Sequence, residues 1–163
     1  MAKAGDIPGL DAGMPYAEAA ARTVEVRARE LFEHGDGVLD VSDIERVHDM
    51  RVATRRLRAV LEIYAPCFPA AEYRAVLRDV KALADALGAR RDPDVQLAGI
   101  ARFEEHADPA DRPGLEAFAD RLRADQQDGN GVLAAALATA EEHDLHGRVE
   151  ALVAAARERA AGA

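Results

Sequence analysis

The sequence predicts an all-α protein, an antiparallel bundle of five or six helices. Aromatic residues make up only 4% of the 163 residues and tryptophan is absent, so the core must consist mainly of alanine, leucine and valine. Such small aliphatic side chains favour closely packed helices over a β-sandwich. Apolar residues also recur every three or four positions, which places them on one face of a helix, whereas the alternating runs typical of strands are missing.

The first residues are rich in glycine and have little periodicity, and we expect residues 1–13 to be flexible. Residues 14–161 are predicted to form a single helical domain. Pro15 suits the first turn of a helix that extends to about residue 33, because its missing N–H is not needed there. Gly35 then suits the left-handed conformation that commonly ends a helix.

Capping and stop signals define the next two predicted helices. Ser42 and Glu45 have the spacing of a capping box, in which each side chain bonds to the backbone N–H of the other residue. A second helix is therefore predicted over residues 42–64. Two prolines follow it, and a third helix is predicted over residues 70–87. Gly88 is expected to end the third helix.

Three further helices are predicted in the second half of the chain. Asp92 and Pro93 are the residue types preferred at an N-cap and at the first helical position, and they predict a helix over residues 92–106. A near-heptad apolar pattern predicts one long helix over residues 114–142, weakened by a Gly-Asn-Gly run near its middle that could kink it or split it in two. A last helix is predicted over residues 145–160.

Composition excludes several classes of protein. No apolar run approaches the roughly 20 residues that a membrane-spanning helix needs, and the first residues lack the apolar segment of a signal peptide. The single cysteine, Cys67, excludes an intrachain disulfide framework and a zinc site built from cysteines. We therefore expect a cytoplasmic protein, and nothing in the sequence predicts a cofactor or a metal site.

Charge is distributed unevenly along the chain. The formal net charge is −9, which by itself argues against a nucleic-acid-binding protein. Residues 46–91, however, contain ten basic and five acidic residues, a net charge of +5, and the remainder of the chain carries −14. The sequence therefore predicts an acidic protein with one basic region.

The basic residues of this region recur with helical spacing. Four residues lie on one side of the second predicted helix, opposite its apolar face, in a row about 15 Å long. Three more are spaced i, i+4, i+7 on the third helix, and Arg90 and Arg91 follow that helix. Because a short turn joins the two helices, we expect them to be antiparallel neighbours, and if the two rows face the same way they form one basic surface. Eight of these residues form what we call the basic strip: His48, Arg51, Arg55, Arg58, Arg74, Arg78, Lys81 and Arg91.

The basic strip has the chemistry to bind a linear polyanion. Arginine guanidinium groups donate paired hydrogen bonds to phosphate oxygens and remain charged at any cellular pH. Aromatic side chains that could stack bases are missing from the strip, because Tyr64 and Tyr73 fall on the apolar faces of their helices. The sequence therefore favours non-catalytic binding of inorganic polyphosphate over binding of nucleic acid.

Other interpretations of the strip stay open at the level of the sequence. A charged row on a helix is often only a solvated face, and the same cations could dock an acidic partner protein or an RNA. Enzymatic activity is not expected, since the sequence has no nucleophile elbow, no glycine-rich phosphate loop and no facing pair of acid and base.

Two segments carry a family resemblance. Residues 48–58 read His-Asp-Met-Arg-Val-Ala-Thr-Arg-Arg-Leu-Arg, and residues 87–95 read Leu-Gly-Ala-Arg-Arg-Asp-Pro-Asp-Val. Together they resemble the signature of the CHAD domain, the conserved histidine α-helical domain, over about residues 16–160. This resemblance implies an all-helical protein that binds inorganic polyphosphate through basic residues lining a groove, with the basic strip as the corresponding residues.

The resemblance also bears on assembly and on regulation. CHAD domains usually comprise two similar bundles and this chain resembles one of them, so a twofold homodimer could rebuild that arrangement. The apolar residues of the last two helices could form the dimer interface or complete the monomer core.

His48 adds positive charge when protonated, so we expect binding to strengthen toward about pH 6. Polyphosphate granules are the corresponding candidate location.

Overall fold

The computed structural model describes residues 3–162, and within them the chain forms five α-helices and no strand. The helices are α1 (Tyr16–Glu33), α2 (Ile44–Ile63), α3 (Ala70–Glu104), α4 (Arg112–Glu142) and α5 (Leu145–Ala161), and a single 3-10 turn, Ala65–Cys67, follows α2. The protein is 78% helical. The predicted all-α bundle is thus confirmed, with five helices.

The helices pack in a fixed order around one core. α1 lies between α2 and α5, α2 packs on α3, and α3 and α4 make the most extensive pairing. Each helix contributes a fully buried leucine to the core: Leu31, Leu57, Leu87, Leu133 and Leu152. Burial of one such side chain contributes about 1.5–3 kcal/mol, so the aliphatic composition is sufficient to build the bundle.

The start of α2 differs from the prediction. Ser42 does not cap the helix, because its hydroxyl donates a hydrogen bond to Oδ1 of Asp40 at 2.7 Å. The N-cap residue is Asp43, and its side chain accepts no capping hydrogen bond from a backbone N–H of the first turn. The predicted capping box is therefore wrong, although the predicted apolar face is buried, including Val47, Met50 and Leu61.

The region joining α1 and α2 also differs in detail. Pro15 is the N-cap residue of α1 rather than part of its first turn. Gly35 does not adopt the left-handed conformation, which occurs instead two residues later, at Gly37 (φ 70°). Within residues 3–13 there is no helix, and Gly5 contacts α1 by donating to Oε1 of Glu30 and by accepting from Arg27. The flexibility of residues 1–13 stays a prediction.

The largest difference is that α3 continues through the predicted break. Gly88 does not end the helix, and Asp92 and Pro93 do not begin another, since both lie inside α3 and Pro93 is buried. Proline cannot donate the usual hydrogen bond to the carbonyl four residues earlier, that of Ala89. The oxygen of that carbonyl faces Gly129 of α4 across a very close backbone contact. The helix is therefore supported at this point by its neighbour.

The Gly-Asn-Gly run that the sequence marks as a weak point belongs to this contact. α4 is one helix throughout, as predicted, and Gly129 is buried. Next to it, Asn130 donates to the carbonyl of Leu39 at 3.0 Å and accepts from Arg90 Nε at 3.2 Å. Gly129 and Asn130 are thus used for contacts between α4 and other parts of the chain, so the loss of helix propensity at these two residues has a structural reason.

α3 and α4 extend beyond the other helices. With 35 and 31 residues they measure about 52 and 46 Å, against about 25–30 Å for α1, α2 and α5. Buried residues end at Asp94 on α3 and begin at Ala119 on α4. The ends of the two helices therefore form a hairpin that projects from the core, with Phe103 and Phe118 exposed on it.

The apolar residues of α5 complete the core of the monomer. Leu145, Val149, Leu152 and Val153 are all buried within the single chain. They are therefore not available as a dimer interface, which was the other role considered for them. None of the helices among the described residues has the length and apolar character needed to cross a membrane.

Candidate anion-binding surface

α2 presents its part of the basic strip away from the core. The helical period that buries Met50 and Leu57 turns His48, Arg51, Arg55 and Arg58 to the opposite side and its flanks. Arg55 is exposed, and the other three are partly exposed.

Glu62 links the α2 part of the strip to α3. Its Oε1 lies 3.1 Å from Arg58 Nε on α2 and 3.4 Å from Lys81 Nζ on α3. All three side chains are about equally exposed, at 42–43%. The hydrogen bond from Arg58, assisted by Lys81, holds the pKa of the Glu62 carboxyl below its usual value. Arg58 of α2 and Lys81 of α3 thus come together at Glu62.

The same contact indicates where Arg91 lies relative to His48. A short turn joins α2 and α3 and the two helices pack together, so they run antiparallel. His48 is about 21 Å before Glu62 along α2, and Arg91 is about 15 Å beyond Lys81 along α3. Both residues therefore lie toward the same end of the helix pair. Nη1 of Arg91 is shielded from solvent and has no hydrogen-bond partner among residues 3–162.

Two further cations of the strip precede Lys81 on α3. Arg74 and Arg78 are exposed, and Arg78 Nε lies 3.5 Å from Oδ1 of Asp79. Asp79 is only 7% exposed and sits between α3 and the corner that joins α4 to α5. The rows of the two helices thus meet at Lys81, whereas Arg78 pairs within its own helix.

Two basic residues that the sequence did not assign to the surface lie at this corner. His143 Nδ1 is 3.1 Å from Oδ2 of Asp79, and Arg148 Nη1 donates to the same oxygen at 2.8 Å. Burial by itself raises the pKa of Asp79, but the bonds to His143 and Arg148 outweigh it and lower the pKa below its usual value. Their sequence separations of 64 and 69 residues from Asp79 leave no local signal that could have identified them.

Arg90, by contrast, is not a surface residue. Its side chain is 0% exposed and pairs with Asp94, one turn later, and with Asn130 of α4. Gln126 of α4 donates to the same oxygen of Asp94 at 2.6 Å. Because this network joins α3 to α4 inside the protein, the expectation that Arg90 contributes to the basic region is wrong.

Four arginines of the strip have no acidic partner among residues 3–162. No ion pair or side-chain hydrogen bond within those residues holds Arg51, Arg55, Arg74 or Arg91. Their charge is therefore not neutralised inside the chain, although the chain as a whole is acidic. A groove of about 580 Å³ lies between α1 and α5, and no residue of the strip lines it.

The family of the chain follows from its sequence and agrees with this arrangement. The sequence model of the CHAD domain family matches residues 22–163. Since this is most of the chain, the chain belongs to the CHAD domain family. No curated protein and no solved structure matches it.

Proposed function

We propose that this protein binds inorganic polyphosphate on the basic strip and does not turn it over. The observation that carries the proposal is the set of strip arginines with no ion-pair partner among residues 3–162, including Arg51, Arg55 and Arg74, on two adjacent helices of a chain of net charge −9. Arginines without an internal partner have their hydrogen-bond donors free for an external anion. The CHAD domain family is associated with polyphosphate-binding proteins, which supports the same ligand.

The role proposed for each residue of the strip follows from its position on α2 or α3. His48, Arg51, Arg55 and Arg58 contact successive phosphoryl oxygens along α2, and the remaining residues, Arg74, Arg78, Lys81 and Arg91, widen the surface over α3. A helix rises about 1.5 Å per residue, so the α2 row spans about 15 Å, which matches several phosphate units of an extended chain. Binding is a matter of charge and hydrogen bonding, and no residue of the strip is assigned a role in bond breaking.

The test of this proposal is a titration of long-chain polyphosphate, RNA and an acidic polypeptide at one salt concentration. We expect polyphosphate to bind most tightly, with an affinity that falls steeply as salt is raised. Preference for RNA or for the acidic polypeptide would assign the strip to that ligand instead. Equal weak binding of all three would show that the strip attracts polyanions by charge alone and does not select polyphosphate.

The proposal extends to assembly and location. We propose that two copies associate about a twofold axis and place their strips along one shared groove, because on separate outer faces the strips could not act on one polyanion chain. Neutralisation of the facing cations by polyphosphate or sulfate should then tighten the dimer. Light scattering with and without polyphosphate tests this, and a monomer under both conditions contradicts it. Binding of this kind would place the protein at cytoplasmic polyphosphate granules.

A further inference from the structure

The carboxylate of Glu62 contacts one cation on each of two helices. One carboxylate oxygen, Oε1 of Glu62, receives the guanidinium of Arg58 from its own helix and the ammonium of Lys81 from α3. Both cations belong to the basic strip. The oxygen therefore occupies a point at which two strip cations on different helices converge.

A phosphoryl oxygen suits this point for the same reason as the carboxylate oxygen. Both are anionic acceptors of charge-assisted hydrogen bonds, which are strongest at about 2.7–2.9 Å. The distances to Glu62 are 3.1 and 3.4 Å, which are longer than this range. A phosphoryl group has several oxygens around one atom and can engage the two cations through different oxygens.

The free-energy cost of displacing Glu62 by an external anion is also small. The Glu62 side chain is 42% exposed, and exposed ion pairs typically contribute only about 0–1 kcal/mol. A displaced Glu62 can turn into solvent without leaving a buried charge behind. If it stays in place, its charge repels the incoming phosphate.

We infer, on the basis of the proposed polyphosphate binding, that the point between Arg58 and Lys81 is a phosphoryl-binding subsite that Glu62 occupies in the free protein. Glu62 is then an internal competitor that lowers the affinity of the strip for its ligand. The opposite role is that Glu62 positions the two cations for binding. The two roles predict changes of opposite sign when the charge of Glu62 is removed.

The test compares the Glu62→Gln and Glu25→Gln variants. Glu25 is a matched control because its side chain is 49% exposed and it also pairs with an arginine of another helix, Arg157 of α5, at 2.8 Å. Both variants change the net charge by the same unit. Polyphosphate affinity is measured at a fixed low salt concentration, and we expect Glu62→Gln to bind about two- to fivefold more tightly than wild type and Glu25→Gln to bind nearly as wild type.

A second measurement tests whether the gain in polyphosphate affinity arises at the subsite. In the Glu62→Gln background, Arg58→Gln or Lys81→Gln should remove the gain, because the freed cation is then lost. Equal affinities of the two glutamine variants, or weaker binding by Glu62→Gln, overturn the subsite while leaving the polyphosphate function in place. Failure of the wild-type protein to bind polyphosphate overturns both.

Discussion

The backbone of Gly129 lies directly against the carbonyl oxygen of Ala89, so that a Cβ atom at position 129 would stand 2.9 Å from that oxygen. This is closer than a carbon and an oxygen approach without strain, and the obstacle is backbone that cannot turn away. The contact lies where Pro93 leaves the Ala89 carbonyl without its helical donor.

Gly129→Ala is therefore expected to destabilise the protein, by about 1–3 kcal/mol, because the added methyl group forces α3 and α4 apart. Gly131→Ala is the matched control, since a Cβ there meets open space. It should be neutral or stabilising by up to about 1 kcal/mol through better helix propensity. Urea unfolding of both variants checks this, and similar effects of the two substitutions would contradict the close contact.

Asp79→Asn is expected to cost about 1–3 kcal/mol of folding stability at neutral pH, because Arg148 and His143 lose their charged partner. The pKa of Asp79 is lowered in the folded protein, so its contribution is full above the unfolded value of about 3.9 and is lost as the pH falls through the folded value. The stability difference between wild type and variant should thus shrink below about pH 4. Thermal unfolding between about pH 3 and 7 measures it.

The control for this prediction is Asp120→Asn. Asp120 is exposed and pairs only along its own helix with Arg123. Its substitution should change stability little at any pH in that range. A constant difference between wild type and Asp79→Asn down to pH 3 would show that the buried carboxylate is not the group that titrates.

Replacement of Arg51 and Arg55 together by glutamine should weaken polyphosphate binding about tenfold. Both residues lack an internal partner, so the loss should appear in binding and not in folding stability. Arg123→Gln, an exposed arginine of α4 outside the strip, is the control. Isothermal titration at fixed salt gives the affinities, and equal losses for the strip and control variants would place the ligand elsewhere.

Polyphosphate binding should strengthen as the pH is lowered from about 7.5 to 6, because protonation of His48 adds a cation to the strip. His48→Gln should remove this pH dependence, whereas His106→Gln, at an exposed position after α3, should retain it. The comparison is made by titration at constant ionic strength. Loss of the dependence in the His106 variant, or its survival in the His48 variant, would assign the effect to another group.

The parts of the structure that could be predicted from the sequence are those set by local periodicity. The repeat of Met50, Leu57 and Leu61 determines which side of α2 is buried, and the placement of its arginines on the other side and flanks follows from the same repeat. The exposure of Arg55 and the burial of the α2 apolar face could therefore be anticipated without tertiary information.

The continuity of α3 could not be anticipated in this way. Gly88, Asp92 and Pro93 are strong local signals for a break, and they are overridden by contacts with α4. The buried Arg90–Asp94 pair depends on Gln126 and Asn130, which are 32 to 40 residues away in sequence. Partners at such distances leave no local pattern, and for the same reason the bonds of Asp79 to His143 and Arg148 were not foreseen.

The uninterrupted course of α3 sets the spacing between the basic strip and the tip of the hairpin. Lys81, in the basic strip, and Glu104, at the end of the helix, belong to one helix and are separated by about 35 Å along it. A break at Gly88 would have placed a loop between the two ends. With no such loop, the helical backbone holds the tip of the α3–α4 hairpin about that far from an anion bound at Lys81.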